Sequence, residues 1–312
     1  MIDPFNFAAA FLEQNAILPL LYRWGGMQWA DLSFGWALVA IYGFAQVIIT
    51  FAVCLPLEYV WPAESWQNGR AVWVDILYTM ISRVGVLPIV SFVLFFQVQA
   101  AFGGLLADYG YVPPALELLA PWLVGHAVVT FFLYALILDA SDYARHRLSH
   151  RFAAWYALHA VHHAQRQMSF WSDDRNHILD DLVSMLWFGA VALLIGIPPL
   201  QFPQLVLVLR FIESLSHANT SLSFGWLGER LIVSPRFHRV HHGVMAAGRR
   251  SVNYGAVFPI WDMLCRTADF TPHLPATGDT AAPEAMATGG YIAQQQAGLA
   301  QLARTLGRPR VG

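Results

Sequence analysis

The sequence contains few charged residues and no lysine. Charged side chains make up 12% of the 312 residues, about half the share of an ordinary globular domain, and all 18 basic residues are arginine. The formal net charge is −2, so the sequence shows no sign of a nucleic-acid-binding surface. Hydrophobic residues make up 57% of the chain, and this composition argues against a soluble protein.

Cysteine is almost absent as well. Cys54 and Cys265 lie far apart in the sequence, so they provide neither a disulfide framework nor a Cys-x-x-Cys metal site. The sequence also lacks a haem-attachment motif, the cysteine pattern of a ferredoxin and a glycine-rich dinucleotide fingerprint. Residues 1–30 show no basic start followed by an apolar core and a cleavage site, so we expect a membrane span to act as the targeting signal.

Long apolar runs are present in several places, and a helix needs about 20 mostly apolar residues to cross a bilayer. The N-terminal segment Phe5–Tyr22 is predicted as a short interfacial or re-entrant helix. The predicted spans are Trp36–Leu57, Val72–Phe102 and Leu118–Leu138, followed by a membrane hairpin at 182–212. The sequence therefore predicts an all-α, polytopic membrane protein with about 4–5 membrane helices and a helical cap outside the bilayer.

The distribution of polar residues predicts three parts of the chain. Residues 1–138 hold the N-terminal membrane helices, and residues 139–270 form a catalytic domain that includes the hairpin. Residues 271–312 are rich in Ala, Gly, Pro and Gln, and we expect a weakly ordered tail with one short helix at Tyr291–Leu306. Because arginine accumulates on the cytoplasmic side of membrane proteins, the cap is predicted on the cytoplasmic face, in the inner or plasma membrane of a bacterium.

Histidine is concentrated in short motifs within the predicted cap. HRLSH at 146–150, HAVHH at 159–163 and HRVHH at 238–242 hold eight of the twelve histidines, and ESLSH at 213–217 adds one more. Residues three and four positions apart share one face of a helix, so each motif brings its side chains together. The candidate metal ligands are His146, His150, His159, His162, His163, Glu213, His217, His238, His241 and His242.

Ten donors exceed what one metal ion can use, but they fit two ions with about five ligands each and an open position for a small molecule. Imidazole suits zinc, copper, iron and nickel, so the ligand types do not select the metal. Asp142 and Asp139 lie one and two turns before His146, where a carboxylate can hold the distal N–H of a ligand. Further candidates for this supporting role are Asp173, Asp174, Asp180 and Asp181. No catalytic residue beyond the metal ligands is predicted.

The candidate residues also have less specific interpretations. The three motifs would otherwise form a solvated polar face, but two HxxHH motifs and one HxxxH motif do not arise together by chance. Glu213 has the alternative of a salt bridge with Arg210 or of a polar group at a helix end. His177 is either a further ligand, a residue behind a ligand, or a residue at a helix start. His126 lies in a predicted span and is expected to be a packing residue, and His273 is expected to be incidental.

The motifs and their flanks resemble the fatty acid hydroxylase and sterol desaturase superfamily. DASDYARHRLSH, SHANTSL, LIVSPRFHRVHHG and NYGAVFPIWDMLCRT are similar to the family's segments, and the resemblance covers about 139–267. It implies a non-haem di-iron centre at the cytoplasmic face, with the eight box histidines as iron ligands. His217 matches an extra histidine after the hairpin. Four residues earlier, relatives have a histidine or a water-linked asparagine, so Glu213 is a departure whose role stays open between direct ligand, water-mediated ligand and supporting residue.

The resemblance further implies that two irons, O₂ and external electrons hydroxylate or desaturate a C–H bond of a sterol, a fatty acyl chain or a related lipid. The expected partners are the lipid substrate, the bilayer and a separate electron donor, such as a ferredoxin, a cytochrome b5-type protein or a reductase. An alternative is a histidine-rich membrane protein that binds or transports metal without oxygenase activity. That protein would need ligands along its spans, where only His126 and Asp75 lie. A haem electron carrier would need paired histidines on opposing helices inside the bilayer, which these motifs do not supply.

Overall fold

All regular elements are helical in the computed structural model, which describes residues 3–66, 69–84, 98, 100–197, 202–244 and 251–307. Within these ranges only two isolated β-bridges occur, Pro62 with Thr220 and Gly243 with Thr277. The α-helices of the first half are α1 Pro4–Leu12, α2 Leu18–Arg23, α3 Ala30–Val60, α4 Gly69–Thr79, α5 at 100–108, α6 Leu116–Leu119 and α7 Ala127–Arg151. Those of the second half are α8 Ala153–His163, α9 Ile178–Leu194, α10 Phe202–His217, α11 Gly225–Leu231, α12 Pro235–His241, α13 Ile260–Cys265, α14 Glu284–Thr288 and α15 Tyr291–Leu306.

Two helical segments are long and apolar enough to cross a membrane, namely Met27–Val60, which contains α3, and α7. Only 17% of the most apolar part of the first segment is buried within the protein. Large apolar side chains such as Phe44 and Phe51 on α3 and Phe132 on α7 are exposed, as expected for surfaces that face lipid. The span predicted at Trp36–Leu57 lies within α3.

The other predicted spans differ in part from the structure. The span predicted at Leu118–Leu138 is wrong at its start, because α7 begins at Ala127. Pro121 and Gly125, which has a φ of 86°, break the helix before that point. For Val72–Phe102, α4 continues into a π-helical turn at Met80–Val84, and residues 85–97 lie outside the described residues.

The hairpin arms and the N-terminal segment both form helices. The hairpin predicted at 182–212 corresponds to α9 and α10, with 198–201 outside the described residues. The segment predicted at Phe5–Tyr22 consists of α1 and α2 joined by a π-helical turn at Glu13–Ile17. The prediction of about 4–5 membrane helices stays a prediction, since two described helical segments meet the length and composition of a span.

Helices α3, α7, α9 and α10 pack together and support the cap. Tyr134 and Leu138 of α7 are buried in one core with Ala192 of α9 and Leu205 of α10. Gln46 of α3 donates a hydrogen bond from Nε2 to a backbone carbonyl of α10 at 3.3 Å. This arrangement brings the C-terminal ends of α7 and α10, which carry histidines, to the same end of the bundle.

The C-terminal segment packs on the cap. Helix α15 has the bounds predicted for the short helix of the tail, and it lies along α8. Gln295 accepts a hydrogen bond from the backbone N–H of Ile178 at 2.9 Å, and Gln294 is buried. Arg175, which is fully buried, donates to the backbone carbonyl of Met286 at 2.6 Å and to Asp75 at 3.0 Å. Residues 284–306 therefore differ from the weakly ordered tail expected for 271–312.

Candidate metal centre

The histidine motifs lie on four helices whose ends converge. HRLSH ends α7, HAVHH ends α8, His217 ends α10, and HRVHH forms α12 with His242 directly after it. Ser234 accepts a hydrogen bond from the backbone N–H of Phe237 at 3.1 Å and fixes the start of α12. Since residues at i, i+3 and i+4 share a face, the motif histidines point into one buried space.

The ring nitrogens form two groups. In each group, one candidate ligand atom per residue lies within 4.8 Å of every other. The first group is His146, His150, His159, His163 and His241, and the second is His162, His217, His238 and His242. The adjacent histidines of α8 contribute to different groups, and so do His241 and His242. Adjacent residues of a helix point in different directions, so one helix can contribute to both groups.

The Nδ1 atoms of five histidines contact fixed oxygen atoms. His146 Nδ1 lies 2.8 Å from the carbonyl oxygen of Tyr254, and His241 Nδ1 lies 2.7 Å from that of Val252. The other three pairs are His217 with the carbonyl of Glu213 at 2.8 Å, His159 with Asp180 Oδ2 at 3.0 Å and His150 with Ser251 Oγ at 3.2 Å. A carbonyl or carboxylate oxygen only accepts, so in His146, His159, His217 and His241 the proton is on Nδ1 and the lone pair is on Nε2. The hydroxyl beside His150 can donate or accept, so it does not fix that tautomer.

Within each group, Nε2 atoms of different histidines lie close together. His217 Nε2 lies 3.2 Å from His162 Nε2 and 3.1 Å from His238 Nε2, and His241 Nε2 lies 3.1 Å from His163 Nε2. The buried Nε2 atoms with no hydrogen-bond partner among the described residues are those of His146, His150 and His159. Buried polar atoms are normally satisfied. Lone pairs that converge at these distances therefore fit transition-metal ions, which imidazole binds well.

The environment keeps these imidazoles neutral. Burial, with smaller contributions from neighbouring histidines, lowers the pKa values of His162, His163, His238 and His242 well below the usual range. Burial lowers the pKa of His241 to about 3, and it lowers the pKa of His217 against the opposing effect of Asp173. Neutral imidazole is the form that binds a metal ion, so the protein presents ligands that need no deprotonation at neutral pH.

The carboxylates that lie beside motif histidines are Asp180 and Asp173, whereas the sequence pointed first to Asp142 and Asp139. Asp180 accepts from His159 Nδ1 through one oxygen and from Trp155 Nε1 at 2.7 Å through the other. Asp173 lies 3.6 Å from His217 Nδ1 and forms an ion pair with Arg83 at 2.6 Å. Both belong to the wider set of aspartates proposed from the sequence, and Asp180 has the geometry of a carboxylate that orients a metal-binding histidine.

Asp139 and Asp142 do not hold the distal nitrogen of His146. The carbonyl of Tyr254 occupies that position. Asp139 instead accepts from the backbone N–H groups of Val257 and Phe258 at 2.9 and 3.0 Å and from a tryptophan. Asp142 pairs with Arg145 at 2.6 Å, one turn along α7. Both carboxylates therefore have partners other than the ring of His146.

Four other singled-out residues lie outside both groups. His177 caps the start of α9 by accepting from the N–H of Leu179 at 3.1 Å, as its helix-start interpretation expects. Glu213 lines a cavity beside the second group, and its role as a ligand stays a prediction. His126 is the exposed residue before α7 rather than a buried packing residue, and His273 is exposed.

A cavity of about 450 Å³ leads from the membrane helices to the histidines. Its lining includes His146 and His159 of the first group and His162, His217 and His238 of the second. Its other lining residues come mainly from α3, α7, α9 and α10, the helices that form the bundle below the cap. A volume of this size lies within the range of small-molecule sites, so a substrate can reach both groups from the helix bundle.

Sequence reasoning missed the backbone acceptors. The carbonyls of Val252 and Tyr254 fix two ligands of the first group, and Ser251 contacts a third. Every residue has a backbone carbonyl, so the residue type does not reveal which carbonyl will accept a hydrogen bond from a histidine. The indication available was that the segment NYGAVFPIWDMLCRT resembled the family without any assigned role.

Comparison with known proteins agrees with these observations. Residues 131–267 match the family model described as fatty acid hydroxylase. The resemblance predicted from the histidine motifs is thereby confirmed over this segment. No solved structure matches the chain.

Three curated relatives carry the name alkylglycerol monooxygenase. The zebrafish (Danio rerio) protein is 28% identical over 147 residues, which are 47% of this chain and 31% of that protein. The Caenorhabditis elegans protein is 27% identical over 158 residues, covering 49% of this chain and 28% of that protein. The human (Homo sapiens) protein is 27% identical over 150 residues, covering 47% and 31%. The chain thus spans less than a third of the length of each of these relatives.

Proposed function

We propose that this chain, whose residues 131–267 match the fatty acid hydroxylase family model, is a membrane-bound oxygenase that oxidises a C–H bond of a lipid. The single observation that carries the proposal is the pair of histidine groups, whose ring nitrogens converge beside a cavity lined by α3, α7, α9 and α10. The relatives' shared name supports a monooxygenase reaction on a lipid.

The nine histidines of the two groups would hold two non-haem irons. When bound, the irons would supply the oxidation of an unactivated C–H bond by O₂, giving hydroxylation or desaturation. The protein contributes the ligand geometry, through the fixed Nδ1 contacts, and a site that excludes bulk water. Exclusion of water protects a strong oxidant from side reactions.

The electrons would come from a separate donor, a ferredoxin, a cytochrome b5-type protein or a reductase. The histidine groups lie at the C-terminal ends of α7 and α10. We expect that end to face the cytoplasm of a bacterial cell, where such donors occur, because arginine accumulates on the cytoplasmic side of membrane proteins. Sterols, fatty acyl chains and ether lipids of the alkylglycerol type are the lipids to test first.

The test combines metal analysis with lipid mass spectrometry. Purified full-length protein is expected to contain about two irons per chain and no haem. Cells that express it should gain one oxygen, or lose two hydrogens, on one lipid class relative to cells without it. Iron-loaded protein that consumed no O₂ with any lipid and a chemical or protein reductant would refute the proposal and favour a metal-binding or transport protein.

A further inference from the structure

Five large apolar side chains are exposed on α13 and at the end of α11. We name this surface the apolar ledge and define it as Leu231, Ile232, Ile260, Met263 and Leu264, of which Leu264 is 68% exposed. The two parts of the ledge are neighbours, because the backbone N–H of Val233, directly after Ile232, donates to the carbonyl of Val257 at 2.8 Å. An exposed apolar patch marks an interaction surface, and the metal centre makes no use of this one.

The anchoring of α13 places it at the depth of the membrane helices. Asp139 of α7 accepts hydrogen bonds from two backbone N–H groups of the segment before α13, and it accepts from Trp261 Nε1 at 2.9 Å. Leu138 of α7 packs with Leu205 of α10 in one core, and Gln46, in the middle of α3, donates to α10 two residues beyond Leu205. Helix α13 therefore begins at the level of the middle of α3, which is long and apolar enough to cross a membrane.

The segment that leads into α13 has the internal hydrogen bonds that irregular backbone needs at this depth. Residues 254–258 are not helical and are mostly buried. Asp262 accepts from two of their backbone N–H groups at 2.9 and 2.6 Å, and Asp139 accepts from two more at 2.9 and 3.0 Å. Irregular backbone lies at bilayer depth only where protein covers it and satisfies its polar groups. The segment meets this condition, while the side chains of the apolar ledge face outward.

Arginine appears where α13 ends. Arg266 follows the helix and is exposed, and the exposed Arg147 of α7 lies near it, because the hydroxyl of Tyr143 contacts Arg147 at 3.2 Å and Thr267 at 2.9 Å. Arg147 is eight residues beyond Asp139, or about 12 Å along α7. Among the residues that the structure describes, no carboxylate pairs with either arginine. Apolar side chains followed by arginine are typical of a surface that passes from acyl chains to lipid head groups.

A second copy of this chain is the other occupant that such a surface can have. That copy would have to cover the ledge at the depth where α3 and α7 expose Phe44 and Phe132. It would also have to present acidic groups to both arginines. Acyl chains and head groups match the two levels of the surface without further requirements, so the observations favour the bilayer.

We infer that the apolar ledge is seated in the lipid leaflet on the cap side of the bilayer, with Arg147 and Arg266 among the head groups. This inference rests on the membrane location in the proposed function and is independent of the oxidation chemistry. The cap is then partly embedded in the bilayer instead of being held above it by the spans.

The embedded segment is connected to the metal centre. Residues 251–259 lead directly into α13 and carry the carbonyls of Val252 and Tyr254, which contact Nδ1 of His241 and His146. The bilayer therefore packs against the same part of the chain that orients two histidines of the first group.

The first experiment measures depth with a nitroxide label on the full-length chain in nanodiscs of phosphatidylcholine and phosphatidylglycerol. The label is attached at Leu264→Cys in a Cys265→Ser background, in which the remaining Cys54 is buried. Ile48→Cys on α3 is the lipid reference, and Glu284→Cys, at a surface ion pair, is the water reference. Collisions of each label with O₂, which concentrates in lipid, are compared with collisions with a neutral water-soluble nickel chelate.

The label at Leu264→Cys is expected to match the Ile48→Cys label, with frequent O₂ collisions and few collisions with the chelate. Chelate access equal to that of the Glu284→Cys label would overturn the inference. Shielding from both reagents would also overturn it and would indicate a second protein chain on the ledge. Water access at Ile48→Cys would refute the membrane location itself, and with it both the proposed function and the inference.

The second experiment measures the melting temperature of charged variants in the same nanodiscs. Leu264→Asp should lower the melting temperature, because a charged side chain is costly in hydrocarbon but not at an exposed position in water. Leu306→Asp, at the end of α15 on the cap, is the matched control with an exposed fraction of 69%, and its melting temperature should stay at the wild-type value. Equal melting temperatures for Leu264→Asp and the wild type would overturn the inference. Neither experiment requires lipid oxidation, so a failure of that chemistry alone leaves both results decisive for the ledge.

Discussion

Replacing Asp180 with asparagine should weaken metal binding at the first histidine group. Asp180 is 2% exposed, and its two oxygens accept from the ring N–H groups of His159 and Trp155 at 3.0 and 2.7 Å. An asparagine keeps only one accepting oxygen. If that oxygen stays with His159, the new NH₂ group faces the indole N–H of Trp155. If it stays with Trp155, the NH₂ group faces His159 and favours the tautomer whose Nε2 carries the proton and cannot bind a metal.

The expected magnitude follows from the lost contact. A hydrogen bond to a charged group contributes about 1.5–3 kcal/mol, and each 1.4 kcal/mol is a factor of ten in affinity. Asp180→Asn should therefore weaken the affinity of the first group for its ion by roughly 10–100-fold. The second group, which contains no contact with Asp180 in the described residues, should keep its affinity.

The assay is metal retention against a chelator, followed by iron analysis. At intermediate chelator concentrations, Asp180→Asn is expected to hold about one ion where the wild type holds about two. Asp279→Asn is the matched control, because Asp279 accepts from the hydroxyl of Tyr156 at 2.9 Å and contacts no histidine nitrogen. Equal retention by Asp180→Asn and the wild type, or equal loss from both groups, would refute the reasoning.

Three further predictions concern ligands, pH and packing. His162→Ala should abolish lipid oxidation while membrane insertion, measured by fractionation, stays intact; retained activity would exclude His162 as a ligand. Acid should destabilise the metal-free protein, because His241 has a pKa of about 3 when folded and an ordinary value of 6.5 when unfolded, so the unfolded state takes up the proton first. At pH 5 this residue alone lowers the free energy of unfolding by about 2 kcal/mol relative to neutral pH, and an unchanged melting temperature between pH 7.5 and 5 would contradict the prediction. Gly43→Ala should lower stability by about 1–3 kcal/mol, because its Cβ would lie 2.0 Å from the carbonyl oxygen of Arg83; Gly103→Ala, with nothing within 4 Å, is the control, and equal melting temperatures would count against this contact.

Much of the fold was predictable where local periodicity decides it. The span at Trp36–Leu57 and the helix at Tyr291–Leu306 both appear, because apolar runs and helical spacing are local properties of the sequence. The start of α7 was placed too early, at Leu118. Hydropathy continues smoothly across that region, whereas the backbone is broken by a proline and by a glycine with positive φ.

Packing of the C-terminal segment was not predictable from composition. A segment rich in Ala, Gly and Gln has a weak apolar signal, so it was expected to be weakly ordered. In the structure its glutamines make the contacts instead, with Gln295 bonding the start of α9 and the hydroxyl of Tyr78 at 3.1 Å. Hydrogen bonds of this kind depend on partners more than 100 positions away, and sequence spacing carries no information about them.

The sequence alone determined which histidines share a face of each helix, because the helical repeat brings the side chains at i, i+3 and i+4 to one face. Only the tertiary structure decided how the nine divide into groups of five and four, since that division depends on where four helix ends meet. The tertiary structure also decided that the carbonyl of Tyr254, and not Asp142, contacts Nδ1 of His146, and that Glu213 lines the cavity. The orientation of an imidazole ring and the partners of a carboxylate group depend on contacts between residues that are far apart in the sequence. A local sequence pattern does not contain these contacts.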